Sequence, residues 1–259
     1  MASRKTRKIA VANEKGGVGK TATIVNLGAA LVLRGNNILV VDMDPQFNAT
    51  QGLGVAPEDI RLSVYDLLQE DADIASTDVI VPTRWEGLDL LPSVPDLAGA
   101  EVELVDALGR ENRLREALAD LDGNYDFILL DTPPSLSLLT VNVFAYANEV
   151  LIPCQTHPYA FGALNELFDT MAAIRRGINT TLETTGVVAT FYDQRTRVSN
   201  RTLERLRSHE RYGPLLFETV IRSNTTVAES ADVGKPVVFY RPGSFGAQDY
   251  SRLAEEMVG

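Results

Sequence analysis

Residues 8–23 read KIAVANEKGGVGKTAT. The apolar run Lys8–Ala12 is typical of a buried strand, and the residues from Lys20 to Arg34 have the spacing of a helix. Between them, glycines let the backbone turn so that successive N–H groups point inward, and the start of the following helix adds a partial positive charge. A glycine-rich loop between a strand and a helix predicts a site for the phosphates of a nucleotide.

The end of this loop carries the residues expected to act on a triphosphate. Lys20 is predicted to reach the β- and γ-phosphates, and the Thr21 hydroxyl is predicted to bind Mg²⁺. The glycines begin late, at Gly16, and a second lysine, Lys15, comes directly before them. This order is the deviant form of the Walker A motif.

Aspartates follow two further apolar runs. Asn37–Val41 leads into Asp42 and Asp44, and Phe127–Leu130 leads into Asp131. The carboxyl ends of parallel strands share one edge of a sheet, so these carboxylates are expected beside the phosphate loop. We predict that Asp131 holds Mg²⁺ through water, that Asp44 orients the attacking water, and that Asp42 joins the magnesium shell or supports the site.

The rest of the chain alternates short apolar runs with longer amphipathic stretches. This order predicts an α/β fold: a single doubly wound, mostly parallel sheet flanked by helices, in one domain over residues 1–259 with a looser acidic region around Pro57–Pro95. Strands are predicted at Lys8–Ala12, Asn37–Asp42, Leu88–Leu91, Phe127–Asp131, Glu149–Pro153, Gly186–Phe191 and Phe217–Ile221. Helices are predicted at Lys20–Arg34, within Leu97–Leu121, from about Ser135, and at Phe161–Arg176, Ser199–Ser208 and Gly246–Met257.

Composition excludes several classes of protein. No run of about 18 uncharged apolar residues occurs, so the sequence predicts no membrane-spanning helix. Cys154 is the only cysteine, which rules out an intrachain disulfide and agrees with a reducing cytoplasm. The net charge of -11 argues against a protein that binds nucleic acid on every face. A single basic face that binds nucleic acid is still compatible with this net charge, because residues 175–252 carry twelve Lys and Arg against eight Asp and Glu.

The motifs together resemble those of the ParA/MinD group of deviant Walker A ATPases, which are P-loop proteins of the SIMIBI type. Within that group the chain is most similar to the short ParA, or Soj-like, partition ATPases. The match extends over nearly the whole chain and is specific for the group. It rests on EKGGVGKT at 14–21, VVDMDPQFNATQGLG at 40–54, YDFILLDTPPSLSLLTVN at 125–142, VLIPCQ at 150–155, TFYDQRT at 190–196, GKPVVFY at 234–240 and GSFGAQDYSRLAEEM at 243–257.

The resemblance implies an ATPase cycle that uses ATP and Mg²⁺. Lys15, Lys20 and Asp44 would act in catalysis, with Lys15 reaching the phosphates of the other subunit in a nucleotide-sandwich homodimer. The dimer would bind double-stranded DNA non-specifically, and a ParB-like or adaptor protein would stimulate hydrolysis. The output would be partition of a chromosome or plasmid by a cytoplasmic, nucleoid-associated protein. Nucleotide contacts would come from Lys15, Gly16, Gly17, Val18, Gly19, Lys20, Thr21 and Ala22, and metal contacts from Thr21, Asp42 and Asp131.

The chain departs from the group's pattern in three places. The group often has three threonines after the loop lysine, whereas this chain has Thr21-Ala22-Thr23, which leaves only the amide of Ala22 for the α-phosphate. Relatives often carry basic residues before Gly234, where this chain has Ser223 and Thr226. Only seven residues precede the first predicted strand, so the helix-turn-helix domain of larger relatives and sequence-specific operator binding are not expected.

Arginines in the last third of the chain are candidates for DNA contact. Arg197, Arg201 and Arg205 are spaced by four, so they would share one face of a helix. Arginine presents several N–H donors in a fixed fork, which suits phosphate, and such contacts carry no sequence information. The alternative is a solvated charged face. The candidate DNA-binding residues are Arg195, Arg197, Arg201, Arg205 and Arg222.

Four other functions fit parts of the pattern. A ParA-like protein that positions a protein compartment or cluster on the nucleoid would use the same residues. A MinD-like membrane switch would need a basic amphipathic C-terminal helix, whereas residues 252–259 are short and acidic. A nitrogenase-reductase-like electron carrier would need two cysteines in each subunit. A dethiobiotin-synthetase-like enzyme would need a metabolite pocket that the sequence does not indicate.

Overall fold

One sheet of eight strands forms the centre of the protein in the computed structural model, which describes residues 5–70 and 72–259. The parts of the sequence predictions that concern residues 1–4 and Asp71 lie outside the described residues. The strands are β1 (Arg7–Val11), β2 (Ile38–Asp42), β3 (Val81–Pro82), β4 (Leu88–Leu91), β5 (Phe127–Asp131), β6 (Glu149–Gln155), β7 (Glu183–Tyr192) and β8 (Leu216–Arg222).

The order of the strands across the sheet is β3-β4-β2-β5-β1-β6-β7-β8. Neighbouring strands run parallel, except that the short β3 runs antiparallel to β4. β1 lies between β5 and β6, and β2 lies on the far side of β5. The predicted mostly parallel sheet is confirmed, and the carboxyl ends of β1, β2 and β5 meet at one edge.

Helices cover both faces of the sheet. They are α1 (Lys20–Val32), α2 (Asn48–Gly52), α3 (Val64–Leu68), α4 (Ser76–Val79), α5 (Leu97–Glu103), α6 (Arg113–Ala117), α7 (Leu138–Tyr146), α8 (Ala160–Gly177), α9 (Arg197–Arg207), α10 (Thr225–Asp232), α11 (Val237–Tyr240) and α12 (Phe245–Val258). α7 begins at Leu138 rather than near Ser135, because Ser137 keeps an extended backbone.

Alternate residues of each central strand belong to two separate cores. In β2, Ile38 and Val40 belong to the core that includes residues of α1, α11 and α12, whereas Leu39 and Val41 belong to the core that includes residues of α5, α7 and α8. Because both faces are covered, the strands can be apolar along their whole length. This arrangement confirms the doubly wound fold.

The stretch Leu97–Leu121, predicted to be helical, is instead divided into α5, α6 and two short 3₁₀ turns. Gly109 adopts a left-handed φ of 68°, which interrupts any continuous helix there. Leu108 is 93% exposed, while Leu104 and Leu114 are buried. The leucines of this stretch therefore lie in separate short elements and not on one face of a continuous helix.

The last helix, α12, packs on α1 and along β8. Its buried residues include Tyr250, Leu253, Ala254 and Met257, so its apolar face is part of a core rather than a membrane-binding surface. Among residues 5–70 and 72–259, no helix has the length and apolar character needed to cross a bilayer.

Candidate functional site

The glycine-rich loop joins β1 to α1 at the carboxyl edge of the sheet. Gly17 and Gly19 have φ angles of 72° and 91°, which residues with a Cβ rarely adopt. Gly19 is also the N-cap of α1 and provides no side chain to the N–H groups of the first turn. Those N–H groups can therefore bind an anion, with the positive end of the helix dipole behind them.

Lys20 is buried at the floor of this loop. Its side chain donates a hydrogen bond from Nζ to the carbonyl oxygen of Asn13 at 3.1 Å, and only 7% of the residue is exposed. Burial lowers the pKa of Lys20, while Asp131 and Asp44 act in the opposite direction. Within the described part of the chain no carboxylate lies within 4 Å of Nζ. A buried ammonium without a direct ion pair fits a bound polyphosphate.

Asn13 fixes the start of the loop. Its Nδ2 donates to the carbonyl oxygen of Pro153 at 2.8 Å, and its Oδ1 accepts from the backbone N–H of Lys15 at 3.0 Å. The loop is therefore tied to the end of β6 through a residue that is itself buried. The Lys15 side chain is partly exposed at the same edge.

Thr21 and Asp131 meet as the sequence predicted. The Thr21 hydroxyl donates to Asp131 Oδ2 at 2.8 Å, and Asp131 is fully buried at the end of β5. Burial raises the pKa of Asp131 well above its usual range, and the nearby carboxylate of Asp42 raises it further. A hydroxyl and a carboxylate are hard oxygen ligands that suit Mg²⁺. Among the described residues, no group of three or more His, Cys, Asp or Glu is arranged to hold a metal ion.

Asp42 supports the site from within the protein. Its Oδ2 accepts hydrogen bonds from the backbone N–H and the hydroxyl of Thr50, both at 2.8 Å, and its Oδ1 accepts from the backbone N–H of Asp44 at 3.1 Å. Asp42 also lies beside Asp131 in the register of β2 and β5. Since both oxygens already have protein donors, the supporting role is favoured over a place in the magnesium shell.

Because Asp42 is buried, we expect its ionisation to lower the stability of the protein as the pH rises. Burial raises the pKa of Asp42 to about 6, whereas the unfolded chain releases this proton near 3.8. Between those values the folded protein binds more protons than the unfolded chain, so the free energy of unfolding falls as the pH rises. The stability of Asp42→Asn relative to the wild type is therefore expected to be about 1–3 kcal/mol more favourable at pH 8 than at pH 4, because only the wild type has to bury a charge at pH 8.

Urea unfolding in the presence of EDTA measures this difference, because EDTA removes metal that would compensate the carboxylate charge. Asp131 and Asp44 are the carboxyl groups that interact with Asp42, and the variant keeps both residues. An equal difference in stability at both pH values would show that the charge of Asp42 is not its cause.

Asp44 is the carboxylate that remains available at this edge. It is 7% exposed, and its Oδ1 accepts from the backbone N–H of Gln46 at 3.0 Å. Its Oδ2 accepts no hydrogen bond from the described residues. Of the Asp42 and Asp44 pair, Asp44 is therefore the one with an oxygen available to a ligand or a water molecule.

β7 contributes two residues whose place in the site the sequence did not reveal. The Thr190 hydroxyl donates to the carbonyl oxygen of Val18 inside the loop at 2.8 Å. The next residue, Phe191, has a left-handed φ of 50°, and a Cβ added at Gly19 would lie 3.3 Å from its ring. The only signal in the sequence is a polar threonine at the end of an apolar strand.

Three of the arginines predicted to bind DNA form an exposed row on α9. Arg197, Arg201 and Arg205 all face solvent, opposite the buried residues of the helix. Arg205 lies over the ring of Phe161, with its guanidinium carbon 4.4 Å from the ring centre. The expectation that these three share a helical face is confirmed. Whether they bind DNA stays a prediction.

Arg195 and Arg222 each have a carboxylate partner. The Arg195 side chain is 84% exposed and pairs with Asp193 at 3.0 Å, in the loop before α9. Arg222 donates from Nε and Nη2 to Asp249, whose side chain is 2% exposed, with a shortest distance of 2.6 Å. Arg222 is therefore engaged inside the protein, which weakens it as a DNA contact.

Comparison with known proteins gives likeness over the whole chain. A family model described as an AAA domain matches residues 6–184. Chromosome-partitioning ATPase Soj of Thermus thermophilus is 44% identical over 258 residues, which cover 100% of this chain and 98% of that protein. Chromosome partitioning protein ParA of Caulobacter vibrioides is 40% identical over 260 residues, which cover 100% of this chain and 96% of that protein.

A solved structure carries the ligands that the site geometry suggests. Cobyrinic acid a,c-diamide synthase from Mycobacterium smegmatis, with bound ATP analog and magnesium, is 35% identical with a TM-score of 0.83. The match covers 96% of this chain and 93% of that chain. The loop, Lys20, Thr21 and Asp131 thus belong to a fold that holds a nucleotide with magnesium.

Proposed function

The chain belongs to the ParA/MinD family of P-loop ATPases, and we propose that ATP binding causes it to form a homodimer. This homodimer binds double-stranded DNA non-specifically until a ParB-like or adaptor protein stimulates hydrolysis. The chain is an ATPase that uses ATP and Mg²⁺. The observation that carries the proposal is the meeting of Lys20, Thr21 and Asp131 at one edge of the sheet, with Lys15 and Asp44 beside them.

The phosphates bind to the loop and to the start of α1. N–H groups of the first helical turn and the Lys20 ammonium supply positive charge, and Thr21 with Asp131 would hold Mg²⁺. Bound Mg²⁺ neutralises charge on the phosphate oxygens. The buried position of Lys20 supports this assignment, because its charge lacks a carboxylate within 4 Å among the described residues and a polyphosphate compensates it.

Asp44 orients the water that attacks the terminal phosphate. Its Oδ1 is held by the N–H of Gln46, so Oδ2 points away from that contact and can accept a hydrogen bond from water. Phosphoryl transfer depends mainly on positioning and charge neutralisation, so a fixed carboxylate at this point suffices. This assignment agrees with the slow hydrolysis expected of a switch.

Lys15 provides the contact between two copies of the chain. It lies at the sheet edge, partly exposed, and within the described residues it makes no salt bridge. Two apolar side chains that follow β5 and β6 are also exposed at this edge, Leu136 by 53% and Tyr159 by 75%. A second copy related by a two-fold axis would cover them and would place each Lys15 near the other subunit's phosphates.

The exposed row of arginines on α9 supplies the surface for DNA. Contacts of this kind neutralise phosphates without reading bases, so they give non-specific binding that weakens as salt concentration rises. Dimerisation doubles the number of such contacts, which makes retention on DNA depend on ATP. Binding of the wild type to any duplex with ATP, and weak binding with ADP, is the result that supports the proposal.

Arg201→Ala is expected to weaken DNA binding at all sequences alike. Each lost phosphate contact should reduce the slope of log K against log salt by about 1, hence by about 2 in a dimer. Fluorescence anisotropy with a labelled duplex at several salt concentrations measures both the affinity and the slope. Arg176→Ala is the matched control, since Arg176 is also exposed but lies at the end of α8.

If Arg201→Ala and the Arg176→Ala control give the same slope as the wild type, α9 is a solvated helix face and not the DNA-binding surface. Arg222→Ala is expected to act differently, because it breaks the pair with the buried Asp249 and therefore lowers stability.

Partition of a chromosome or plasmid is the output that we propose for this cycle. The relatives in Thermus thermophilus and Caulobacter vibrioides are named for chromosome partitioning. The proposed location is the nucleoid, where an Asp44→Ala fusion to a fluorescent protein should colocalise with DNA. We also propose that residues 1–259 act as one domain, since the described strands form one sheet and α12 closes its face on α1.

A further inference from the structure

A buried hydrogen-bonded network lies behind Asp44. The Thr50 hydroxyl donates to Asp42 Oδ2 at 2.8 Å and accepts from the backbone N–H of Ser93 at 3.1 Å. The Ser93 hydroxyl in turn donates to the backbone carbonyl oxygen of Asp44 at 2.8 Å. Asp42, Thr50 and Ser93 are all 0% exposed. Every hydroxyl in the network therefore has a defined partner and no access to solvent.

The network holds the backbone of Asp44 on both sides. Its N–H donates to Asp42 Oδ1 at 3.1 Å, and its carbonyl oxygen accepts from Ser93 and also from the N–H of Phe47 at 2.8 Å. The three anchors come from different elements: Asp42 ends β2, Thr50 lies in α2, and Ser93 follows β4. The turn that carries Asp44 is thus fixed by the tertiary structure and not by local sequence alone.

We propose that Thr50 and Ser93 are positioning residues for ATP hydrolysis, which hold the Asp44 turn so that its carboxylate is aimed at the attacking water. This inference rests on the proposed role of Asp44. Neither residue belongs to the loop at residues 15–22, and within the described residues neither hydroxyl forms a hydrogen bond with Lys20, Thr21 or Asp131. Their loss should therefore slow the chemical step without removing the groups that bind the phosphates.

A displacement of a catalytic group by about 1 Å can cost about 100-fold in rate. Thr50→Val keeps the shape of the side chain but removes the hydroxyl, which leaves the Ser93 N–H without a partner and Asp42 Oδ2 with only the Thr50 backbone N–H. Loss of this hydroxyl therefore removes a hydrogen bond from both Asp42 and Ser93, the two residues that hold the Asp44 backbone from outside its own turn. Ser93→Ala removes only the contact to the Asp44 carbonyl oxygen, so we expect a smaller effect.

The experiment compares Thr50→Val with Thr50→Ser in single-turnover hydrolysis of ATP and in binding of a fluorescent ATP analogue. Thr50→Val should lower the hydrolysis rate by about 10- to 100-fold and change the Kd of the analogue by less than about threefold. Thr50→Ser retains a hydroxyl and should recover most of the rate. Ser93→Ala should lower the rate by about tenfold, and it serves as the second variant if Thr50→Val fails to fold.

A test in the Asp44→Ala background separates positioning from a general structural effect. If Thr50 acts through Asp44, then Thr50→Val adds no further loss of rate once Asp44 is absent, because the two changes are not additive. A Thr50→Val rate equal to that of the wild type, or an additional loss in the Asp44→Ala background, would overturn the inference. Wild-type turnover by Asp44→Ala alone would instead refute the proposed role of Asp44, so the two failures are distinguishable.

Discussion

Replacing Asp44 with Ala is expected to lower the rate of ATP hydrolysis by at least about 100-fold, because a positioned carboxylate that acts on the attacking water contributes about 10²- to 10⁴-fold. ATP binding should change by less than about threefold, since Lys20 and Thr21 keep their places. Single-turnover hydrolysis and titration with a fluorescent ATP analogue measure the two quantities separately. Blocked hydrolysis should also cause the ATP-bound dimer to accumulate, which sedimentation velocity detects.

Asp44→Asn distinguishes the charge of the side chain from its geometry. The amide oxygen can still accept from the N–H of Gln46, a contact of 3.0 Å in the wild type, so the turn keeps its shape. We expect Asp44→Asn to stall as Asp44→Ala does, because a neutral amide holds the attacking water with a weaker hydrogen bond than a charged carboxylate does. Asp59→Ala removes an exposed carboxylate on the segment after α2 and is the control for a change in net charge. Rapid turnover by both Asp44 variants would exclude Asp44 from the chemical step.

Replacing Lys15 with Ala is expected to weaken ATP-dependent dimerisation by at least about 100-fold. Truncating one partner of a buried, hydrogen-bonded charge pair costs about 2–5 kcal/mol, and a two-fold symmetric dimer would contain two such contacts. The loop of each subunit should still bind ATP, because Lys20 and the N–H groups of α1 are unchanged. The variant is therefore expected to bind nucleotide as a monomer.

The Lys15 prediction is best tested in the Asp44→Ala background, where ATP hydrolysis does not cause the dimer to dissociate. Sedimentation velocity with ATP should show dimer for Asp44→Ala and monomer for the double variant. Lys5→Ala in the same background is the matched control, since Lys5 is exposed and lies before β1. A full yield of dimer without Lys15 would contradict the proposed contact across the interface.

Much of the site could be predicted from the sequence, because its residues lie in short, local sequence patterns. The loop needs glycines at positions with positive φ, and Gly17 and Gly19 meet that need with φ of 72° and 91°. Asp131 directly ends an apolar strand, so its place at the sheet edge follows from the parallel order of the strands. The pairing of Thr21 with Asp131 is the geometric result of those two local patterns.

Other features could not be predicted, since their cause lies in residues that are distant along the chain. The spacing of leucines between 97 and 121 predicted helix, but Gly109 and the way each short element packs on the sheet divide the segment. Arg222 was a candidate for DNA contact because of its charge, yet its side chain donates hydrogen bonds to Asp249 on α12. A charge pattern does not reveal which carboxylate the fold will place beside it.

The amino-acid sequence alone predicts a phosphate loop, the carboxylates that converge on it and the parallel sheet that brings them together. It can do so because backbone conformation and strand periodicity depend on residues only a few positions apart. The fold gives Asp42, the last residue of β2, and Asp44 different surroundings. Asp42 is fully buried and bound by Thr50, whereas Asp44 keeps a carboxylate oxygen available and has its turn held by Ser93. Those surroundings depend on hydrogen bonds across gaps of 8 and 49 residues, which form only when separate strands and helices pack together.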